Sequence, residues 1–270
     1  MPQLRSCLPS PELRPYVRAY AQRKLEPHDK LVVEAVPAQL EQILNFELGV
    51  MPGVRHRTDR ISGAAWIGGA QTTFTGTMDL HPGVESFAIF FQPLGWSELF
   101  GVPAREITNH IFDATAVMGA GVLELWNVLV EPVSFEARVN AAEIFLRRRL
   151  IRPNAACRMM TTAKYIFRAS GTIRISTLAQ ERSMCLRHFE REFQIAMGTS
   201  AKSFARVARF QAALDAKLAA PQRTWLDIAH YFSYHDQMHM VHDFRALGLY
   251  APNQLIEQMG DVRPPALASA

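Results

Sequence analysis

Cysteine is scarce in this sequence, and the three present, Cys7, Cys157 and Cys185, lie far apart without a CxxC pair. This pattern argues against a disulfide framework and a cysteine zinc site, and it fits a reducing cytoplasm. No run approaches the roughly eighteen apolar residues that a membrane-spanning helix needs. The opening MPQLRSCLPS has no apolar signal core. We therefore expect a cytoplasmic protein without a membrane partner.

Catalytic motifs are also lacking. The sequence contains no phosphate-binding loop, no nucleophile elbow and no HExxH pair. The sequence therefore lacks the signature motifs of several large enzyme classes. We therefore predict that the protein is not an enzyme, and we assign no catalytic residue and no cofactor.

Charge is distributed unevenly along the chain. Residues 1–140 contain 11 Lys and Arg against 15 Asp and Glu, whereas residues 141–270 contain 18 against 10. A basic half joined to an acidic half indicates that the basic half meets a polyanion such as nucleic acid.

The N-terminal half has the pattern of a β domain. Between Leu31 and Phe91 the apolar runs are short and are separated by Pro, Gly, Thr and Asn. The segments KLVVEAV, QILNFEL, AAWIGG and VESFAIFFQP predict strands, and the alternation of Phe87, Ile89 and Phe91 predicts one buried face. Many short strands with turn signals favour a barrel or sandwich of the cupin sort.

A metal-dependent cupin enzyme with a helical appendage is the alternative function. Such a protein would carry an HxH pair with a downstream Glu and His, whereas His56 and His81 stand alone. We therefore predict no metal in the N-terminal half.

The middle of the chain changes to helical spacing. The segment Phe135–Leu150 has apolar residues on one face, which predicts a helix that acts as a dimer seam or an intramolecular strut, with a slight preference for dimerisation. Pro132 and Pro153 flank it. The resulting domains are residues 1–130 (cupin-like), 131–155 (helical linker), 156–260 (helical) and 261–270 (flexible tail).

The C-terminal half contains a weak internal repeat. Thr177–Phe193 and Asp227–Phe244 each show an aliphatic–Ala pair, a polar break and a helix that ends in Phe, the outline of a helix-turn-helix unit. Ser176, Thr224 and Asp236 are predicted N-caps. The fold class is therefore α+β, a cupin-like β domain followed by an all-α domain of two helix-turn-helix units joined by a long helix.

The second helix of each unit has a buried side and a polar side. On a helical wheel the predicted buried residues are Leu186, Phe189 and Phe193 in the first unit and Met240, Phe244 and Leu247 in the second. The opposite sides contain Arg187, Glu190, Arg191 and Gln194, and Met238, Val241, His242 and Arg245. A recognition helix that places Arg or Gln against base edges has this pattern, although a solvated helix face is the simpler interpretation of either arginine alone.

A long helix is predicted between the two units. Ala201–Ala219 spans about 28 Å at 1.5 Å per residue. A spacer of this length suits two recognition helices set roughly one DNA turn apart, about 34 Å. Arg206 and Arg209 on this helix are phosphate-contact candidates or structural residues.

Three histidines, His235, His239 and His242, share one arc of the last predicted helix. Zinc is geometrically possible there, but no cysteine or carboxylate in that arc completes a tetrahedral site. A second recognition helix is the preferred interpretation.

Residues 156 to about 258 resemble the DNA-binding domain of the AraC/XylS family of bacterial transcription regulators. The segments CLRHFEREF, MGTSAKSFARVARFQAAL and SYHDQMHMVHDFRALG are similar to the family pattern. Cys185, Ala201 and Ser233 depart from it, where the family usually has Ser, Pro and Gly. The N-terminal half resembles the family's regulatory domain more loosely, through LRPYVRAY, GGAQT and FFQPLGWSELFGVPAREITNHIFD.

The resemblance implies a set of DNA contacts and partners. The base-contact candidates are Arg187, Glu190, Arg191, Gln237, Met238, Val241 and His242. The phosphate-contact candidates are Ser176, Cys185, Lys202, Arg206, Thr224, Asp236, His239 and Arg245. The implied partners are double-stranded promoter or operator DNA, RNA polymerase, an unidentified small-molecule effector and a second copy of the chain, at the nucleoid.

Overall fold

The computed structural model describes residues 3–56, 63–131, 133–150, 158–259 and 264, without the side chains of residues 54–56. The predictions made for Pro132, Pro153, the end of the linker and most of the 261–270 tail lie outside these residues, as does the side chain of His56. The described chain is an antiparallel β domain followed by a helical region, which confirms the predicted α+β class. None of the helices in these ranges is long and apolar enough to cross a membrane.

Within the described residues, nine strands form two antiparallel sheets. The strands are β1 (Gln3–Cys7), β2 (Val17–Lys24), β3 (Val32–Val36), β4 (Gln42–Glu47), β5 (Gly53–His56), β6 (Ala65–Gly68), β7 (Gly76–Leu80), β8 (Glu85–Phe91) and β9 (Ile111–Asp113). The larger sheet has the order β1-β2-β8-β4-β6-β9, and the smaller has the order β3-β7-β5. The four strands predicted from the sequence correspond to β3, β4, β6 and β8.

The larger sheet is buried on both faces, so the prediction of a single buried face on β8 is wrong. Phe87, Ile89 and Phe91 are fully buried in a core shared with the helices that follow the sheet. Ala88 and Phe90 are also buried, because they face the smaller sheet across an internal cavity. A sheet covered on both sides produces a continuous apolar run rather than a strict alternation.

Twelve helices complete the described fold. They are α1 (Gly95–Phe100), α2 (Ala104–Ile107), α3 (Ala114–Met118), α4 (Gly121–Val130), α5 (Phe135–Leu150), α6 (Arg158–Arg168), α7 (Ile175–Glu181), α8 (Leu186–Met197), α9 (Ala201–Ala219), α10 (Trp225–Tyr231), α11 (Gln237–Gly248) and α12 (Pro252–Met259). The predicted long helix α9 and the predicted helix α5 are confirmed, each with the expected bounds.

The apolar face of α5 is occupied within the chain. Phe135, Ala142 and Leu146 are buried in the same core as the larger sheet. Arg138 donates to the carbonyl of Leu129 at 2.8 Å and pairs with Glu85 of β8 at 2.5 Å. The buried face of the helix therefore acts as an intramolecular strut, and a role of its exposed face in a homodimer stays a prediction.

The two helix-turn-helix units close their turns in the same way. Ser183 and Ser233 both adopt a φ of 55°. The next residue in each turn, Met184 or Tyr234, donates its N–H to the carbonyl of the alanine five residues earlier at 2.9 Å. These matching bonds confirm the internal repeat between α7-α8 and α10-α11.

Two of the three predicted caps are confirmed. Thr224 accepts from the N–H of Asp227 at 3.1 Å, and Asp236 accepts from the N–H of His239 at 2.7 Å. Ser176 is not a cap, because α7 begins earlier, at Ile175, whose side chain packs against the core.

The predicted buried faces of α8 and α11 are largely confirmed. Phe189, Phe193, Met240, Phe244 and Leu247 are buried. Leu186 is exposed, contrary to the prediction. It is the first residue of α8 and follows the exposed Ser183 and Cys185.

A buried polar network joins the β domain to α9. Arg18 of β2 pairs with Glu41 and, at 3.2 Å, with Asp215 of α9. Gln211 donates to Glu41 at 2.5 Å and accepts from the N–H of Leu40 at 2.9 Å. Because these partners are buried together, the network fixes the position of α9 against the β domain.

Hydrogen bonds to backbone carbonyl groups also link the two halves. The N–H of Ala38 donates to the carbonyl of Leu247 at 2.8 Å, and the hydroxyl of Thr108 donates to the carbonyl of Met197 at 2.9 Å. Gly198 ends α8 with a φ of 69°, and an added Cβ would lie only 2.9 Å from the Cα of Arg105. A glycine is therefore needed at this close approach.

Candidate nucleic-acid interface and ligand cavity

Helix α8 presents a basic outer face. Arg187 and Arg191 are exposed, on the side opposite Phe189 and Phe193. Arg191 makes only exposed contacts within its own helix, with His188 at 3.2 Å and Glu192 at 3.5 Å. Both guanidinium groups are therefore accessible to a ligand, and a guanidinium can form two hydrogen bonds with guanine in the major groove.

Glu190, the third base-contact candidate on α8, has a structural contact. Its carboxylate accepts from the N–H of Ala201 at 3.1 Å, at the start of α9. An acidic group at a helix N-terminus is favourable, because the first N–H groups of a helix have no partner within it. Ala201 supplies the N–H that this bond requires, which a proline at this position could not.

Helix α11 presents a less charged outer face. Gln237, Met238 and His242 are exposed, and Val241 is half-buried. Their positions correspond to the outer face of α8, with Met238 aligned to Arg187 and His242 to Arg191. An amide and an apolar side chain can contact adenine and a thymine methyl group respectively, with less electrostatic attraction than arginine.

The three histidines of this region do not converge. His235 lies in the turn and pairs with Asp236 at 2.9 Å, while the ring of His239 contacts the ring of Tyr234 edge-on, with 5.6 Å between centroids. Hydrogen bonds from His235 and from the N–H of His239 lower the pKa of Asp236, which keeps this cap ionised. Among the residues that the structure describes, no group of three or more His, Cys, Asp or Glu could hold a metal ion.

Seven of the eight phosphate-contact candidates have exposed side chains, and two of these seven act as helix caps. The exposed residues are Ser176, Cys185, Lys202, Thr224, Asp236, His239 and Arg245. The Thr224 hydroxyl and the Asp236 carboxylate are occupied as caps. Cys185 occupies the N-cap position of α8 but makes no side-chain bond there.

Arg206 and Arg209 both make structural contacts, and the phosphate contact expected of Arg206 stays a prediction. Arg206 donates to the buried carboxylate of Asp243 at 2.7 Å, which ties α9 to α11. Arg209 lies over the ring of Tyr234 at 5.2 Å from its centroid, and it donates to the carbonyl of Ser233 at 3.5 Å. Both arginines therefore hold the second turn and α11 in place.

A cavity lies between the two sheets of the β domain. Its volume, taken as the space open to the centres of water-sized molecules, is about 120 Å³, and the cavity is open to solvent on one side. Its walls are mainly apolar and include Ile43, Trp66, Ala88 and Phe90 of the larger sheet. No motif in the sequence indicated this cavity, because its lining comes from many strands that are distant in the chain.

Glu47 is a buried acid in the wall of this cavity. Its Oε1 accepts from Trp66 Nε1 at 2.8 Å and from Asn45 Nδ2 at 2.7 Å, whereas its Oε2 receives no hydrogen bond. Burial raises the pKa of Glu47 to about 7, despite the opposing effects of Trp66, Arg23 and Asn45. The sequence analysis missed this residue, although a Glu in the apolar strand QILNFEL was the available signal.

The cavity also contacts the helical half of the chain. Met259 at the end of α12, and Pro264 beyond it, line the cavity wall. Leu255 of α12 packs against Gly248, the last residue of α11. A continuous set of contacts therefore runs from the cavity to α11.

Comparison with known proteins gives one family model and several solved structures. Residues 5–113 match a family model described as a domain of unknown function, DUF6597. No curated protein matches the chain.

The solved structures are of ToxT from Vibrio cholerae, at 8–9% sequence identity. ToxT from strain O395 has a TM-score of 0.50 and covers 96% of this chain and 98% of its own. Wild-type ToxT with a bound unsaturated fatty acid has a TM-score of 0.53, covering 96% and 95%. ToxT bound to (E)-4-(8-methylnaphthalen-1-yl)but-3-enoic acid has a TM-score of 0.51, covering 96% and 99%.

This likeness defines the class of fold. The chain shares with ToxT an α+β architecture in which an antiparallel β domain precedes a helical region, over nearly the whole of both chains.

Proposed function

We propose that the chain is a sequence-specific, DNA-binding transcription regulator of the AraC/XylS type. The observation that carries the proposal is the pair of helices α8 and α11. Each follows the same positive-φ serine turn, and each exposes a face that can contact base edges. In this proposal residues 1–130 are the regulatory domain, and residues 156–260 bind double-stranded DNA in two successive major grooves.

The two recognition helices contribute unequally in this proposal. Arg187 and Arg191 of α8 contact bases directly and provide most of the discrimination. Gln237, Met238 and His242 of α11 provide a weaker second contact. Lys202 and Arg245 face phosphates and add affinity that falls as salt concentration rises.

A small-molecule effector completes the proposal. The cavity of the β domain is its binding site, and α12 transmits its occupancy to α11. The ligands named in the ToxT structures support an effector site in this architecture. RNA polymerase and a second copy of the chain are the further partners, at the nucleoid.

The test is selection of bound duplexes from a random DNA pool, with binding measured over a range of salt concentrations. We expect enrichment of a site with two short blocks about one helical turn, roughly 10 base pairs, apart. The block contacted by α8 is expected to be the more sharply defined. A pool that shows no enriched sequence after repeated rounds would contradict the proposal.

A further inference from the structure

The Oε2 atom of Glu47, which has no hydrogen-bond partner, indicates the kind of ligand that the cavity binds. A buried polar atom without a hydrogen bond is costly to the folded state. Glu47 Oε2 is shielded from solvent and has no donor, although Trp66 and Asn45 satisfy Oε1. A donor group on a bound molecule would complete the hydrogen bonding of this carboxyl group.

The charges around Glu47 favour a cation over an anion. Arg23 of β2 also lines the cavity, but its guanidinium pairs with the buried carboxylate of Glu34 on β3 at 3.5 Å. Among the described residues that line the cavity, Arg23 and Glu47 are the charged ones, and Glu34 and Asp79 are further buried acids on the strands of the smaller sheet. A carboxylate ligand would therefore meet acidic groups and an arginine that is already paired.

We propose that the cavity binds an apolar molecule whose head is a protonated amine, held by the Glu47 carboxylate beside Trp66. The amine supplies the missing donor, and its charge compensates the buried carboxylate. The rings of Trp66 and Phe90, which both line the cavity, provide further favourable surroundings for a cation and its apolar body.

Amine binding by this site depends on pH in a defined direction. The pKa of Glu47 is raised to about 7, so that the carboxyl group is mostly protonated below neutral pH. The charged pair requires the ionised form, while an alkyl amine stays protonated throughout this range. The ionised fraction of a group with a pKa of about 7 is about tenfold smaller at pH 6 than at pH 8. Affinity for the amine is therefore high above pH 7 and falls by about tenfold between pH 8 and pH 6.

This inference rests on the proposed function only in treating the ligand as an effector. Met259 places the end of α12 in the cavity wall, so that a bound molecule contacts the helical half directly. Ligand binding to the chain alone is measurable without DNA. Failure of the amine assignment is thus distinguishable from failure of the DNA-binding proposal.

The experiment compares octylamine, octan-1-ol and octanoate, which share one apolar body. Binding to the full chain is followed at pH 8 and pH 6 through calorimetry, with tryptophan fluorescence as a second measurement. We expect octylamine to bind at least tenfold more tightly than either other compound at pH 8, and to lose that preference at pH 6.

Glu47→Gln tests the residue, and Glu124→Gln, an exposed position on α4, is the matched control. Glu47→Gln is expected to lower octylamine affinity at least tenfold at pH 8 and to remove the pH dependence, whereas Glu124→Gln preserves both. Equal or tighter binding of octanoate or octan-1-ol by the wild-type chain would overturn the amine assignment, as would unchanged octylamine binding by a folded Glu47→Gln variant.

Discussion

Basic side chains on the helical half have different environments that only their contacts distinguish. Arg187 and Arg191 face solvent, whereas Arg206 and Arg209, on a neighbouring helix, hold Asp243 and Tyr234. The sequence motif contains all four arginines without separating these roles. The contacts therefore distinguish the exposed arginines of α8 from the arginines that hold α9 against the second unit.

Glu47 gives a prediction for stability at the residue scale. Its pKa is raised from 4.5 to about 7 in the folded chain, so that the folded state binds the proton more tightly than the unfolded state. The contribution of Glu47 to stability is therefore complete below about pH 4.5 and is lost as the pH rises through 7.

Glu47→Gln is expected to remove this loss. Relative to wild type, the variant should gain about 3 kcal/mol in free energy of unfolding between pH 4.5 and pH 8, at 1.36 kcal/mol per pKa unit. Urea unfolding at the two pH values measures the difference, with Glu124→Gln as the control. The same stability difference at both pH values would show that the Glu47 pKa is not raised by burial.

At the scale of elements, the two serine turns set the angle between the helices of each unit. A φ of 55° is the left-handed region, which glycine adopts easily and side chains branched at Cβ adopt poorly. Ser233 is not a glycine and still forms the same turn as Ser183. The turn is therefore set by its hydrogen bonds and by the packing of Tyr234.

Ser233→Val should destabilise the chain by about 1–2 kcal/mol, because a branched Cβ is strained at this φ. Ser233→Gly should be nearly neutral or slightly stabilising. Denaturant unfolding measures both changes, and Ser176→Val, in an exposed position of α7 with ordinary helical geometry, provides the comparison. Equal costs for Val at positions 233 and 176 would contradict the role of the positive φ.

The sequence predicted the helices better than the strands, for physical reasons. Helix α9 has a regular apolar stripe, so its bounds followed from local pattern alone. Strand β2, with the sequence VRAYAQRK, was missed because it buries Arg18 and Arg23, whose acidic partners are supplied by other parts of the chain. The cavity around Glu47 was missed for the same reason, since only the folded sheets bring its walls together.

At the scale of the whole molecule, the polar network around Arg18 connects the β domain to the helical half. Glu41 and Asp215 are buried acids that face the same guanidinium. Removing one partner of a buried ion pair leaves an uncompensated charge, which costs more than the pair contributes. The interface between the halves therefore depends strongly on Arg18.

Arg18→Ala is expected to destabilise the chain by about 3–5 kcal/mol. Arg105→Ala, which removes an exposed pair with Glu106 at 3.6 Å, is the matched control and should cost less than about 1 kcal/mol. Thermal or urea unfolding measures both variants. Similar small losses for the two would show that the network does not hold the halves together.

The central claim is that α8 recognises DNA sequence through Arg187 and Arg191. The most direct measurement is competition binding of wild type, Arg187→Ala and Arg191→Ala to a selected duplex and its single-base-pair variants. Arg148→Ala, an exposed arginine on α5, is the control.

Each α8 variant is expected to lose about 1–3 kcal/mol of binding free energy on the selected duplex and to stop discriminating at one or two adjacent base pairs. Arg148→Ala should bind as wild type does. An unchanged ranking of all duplexes by both α8 variants would contradict the account.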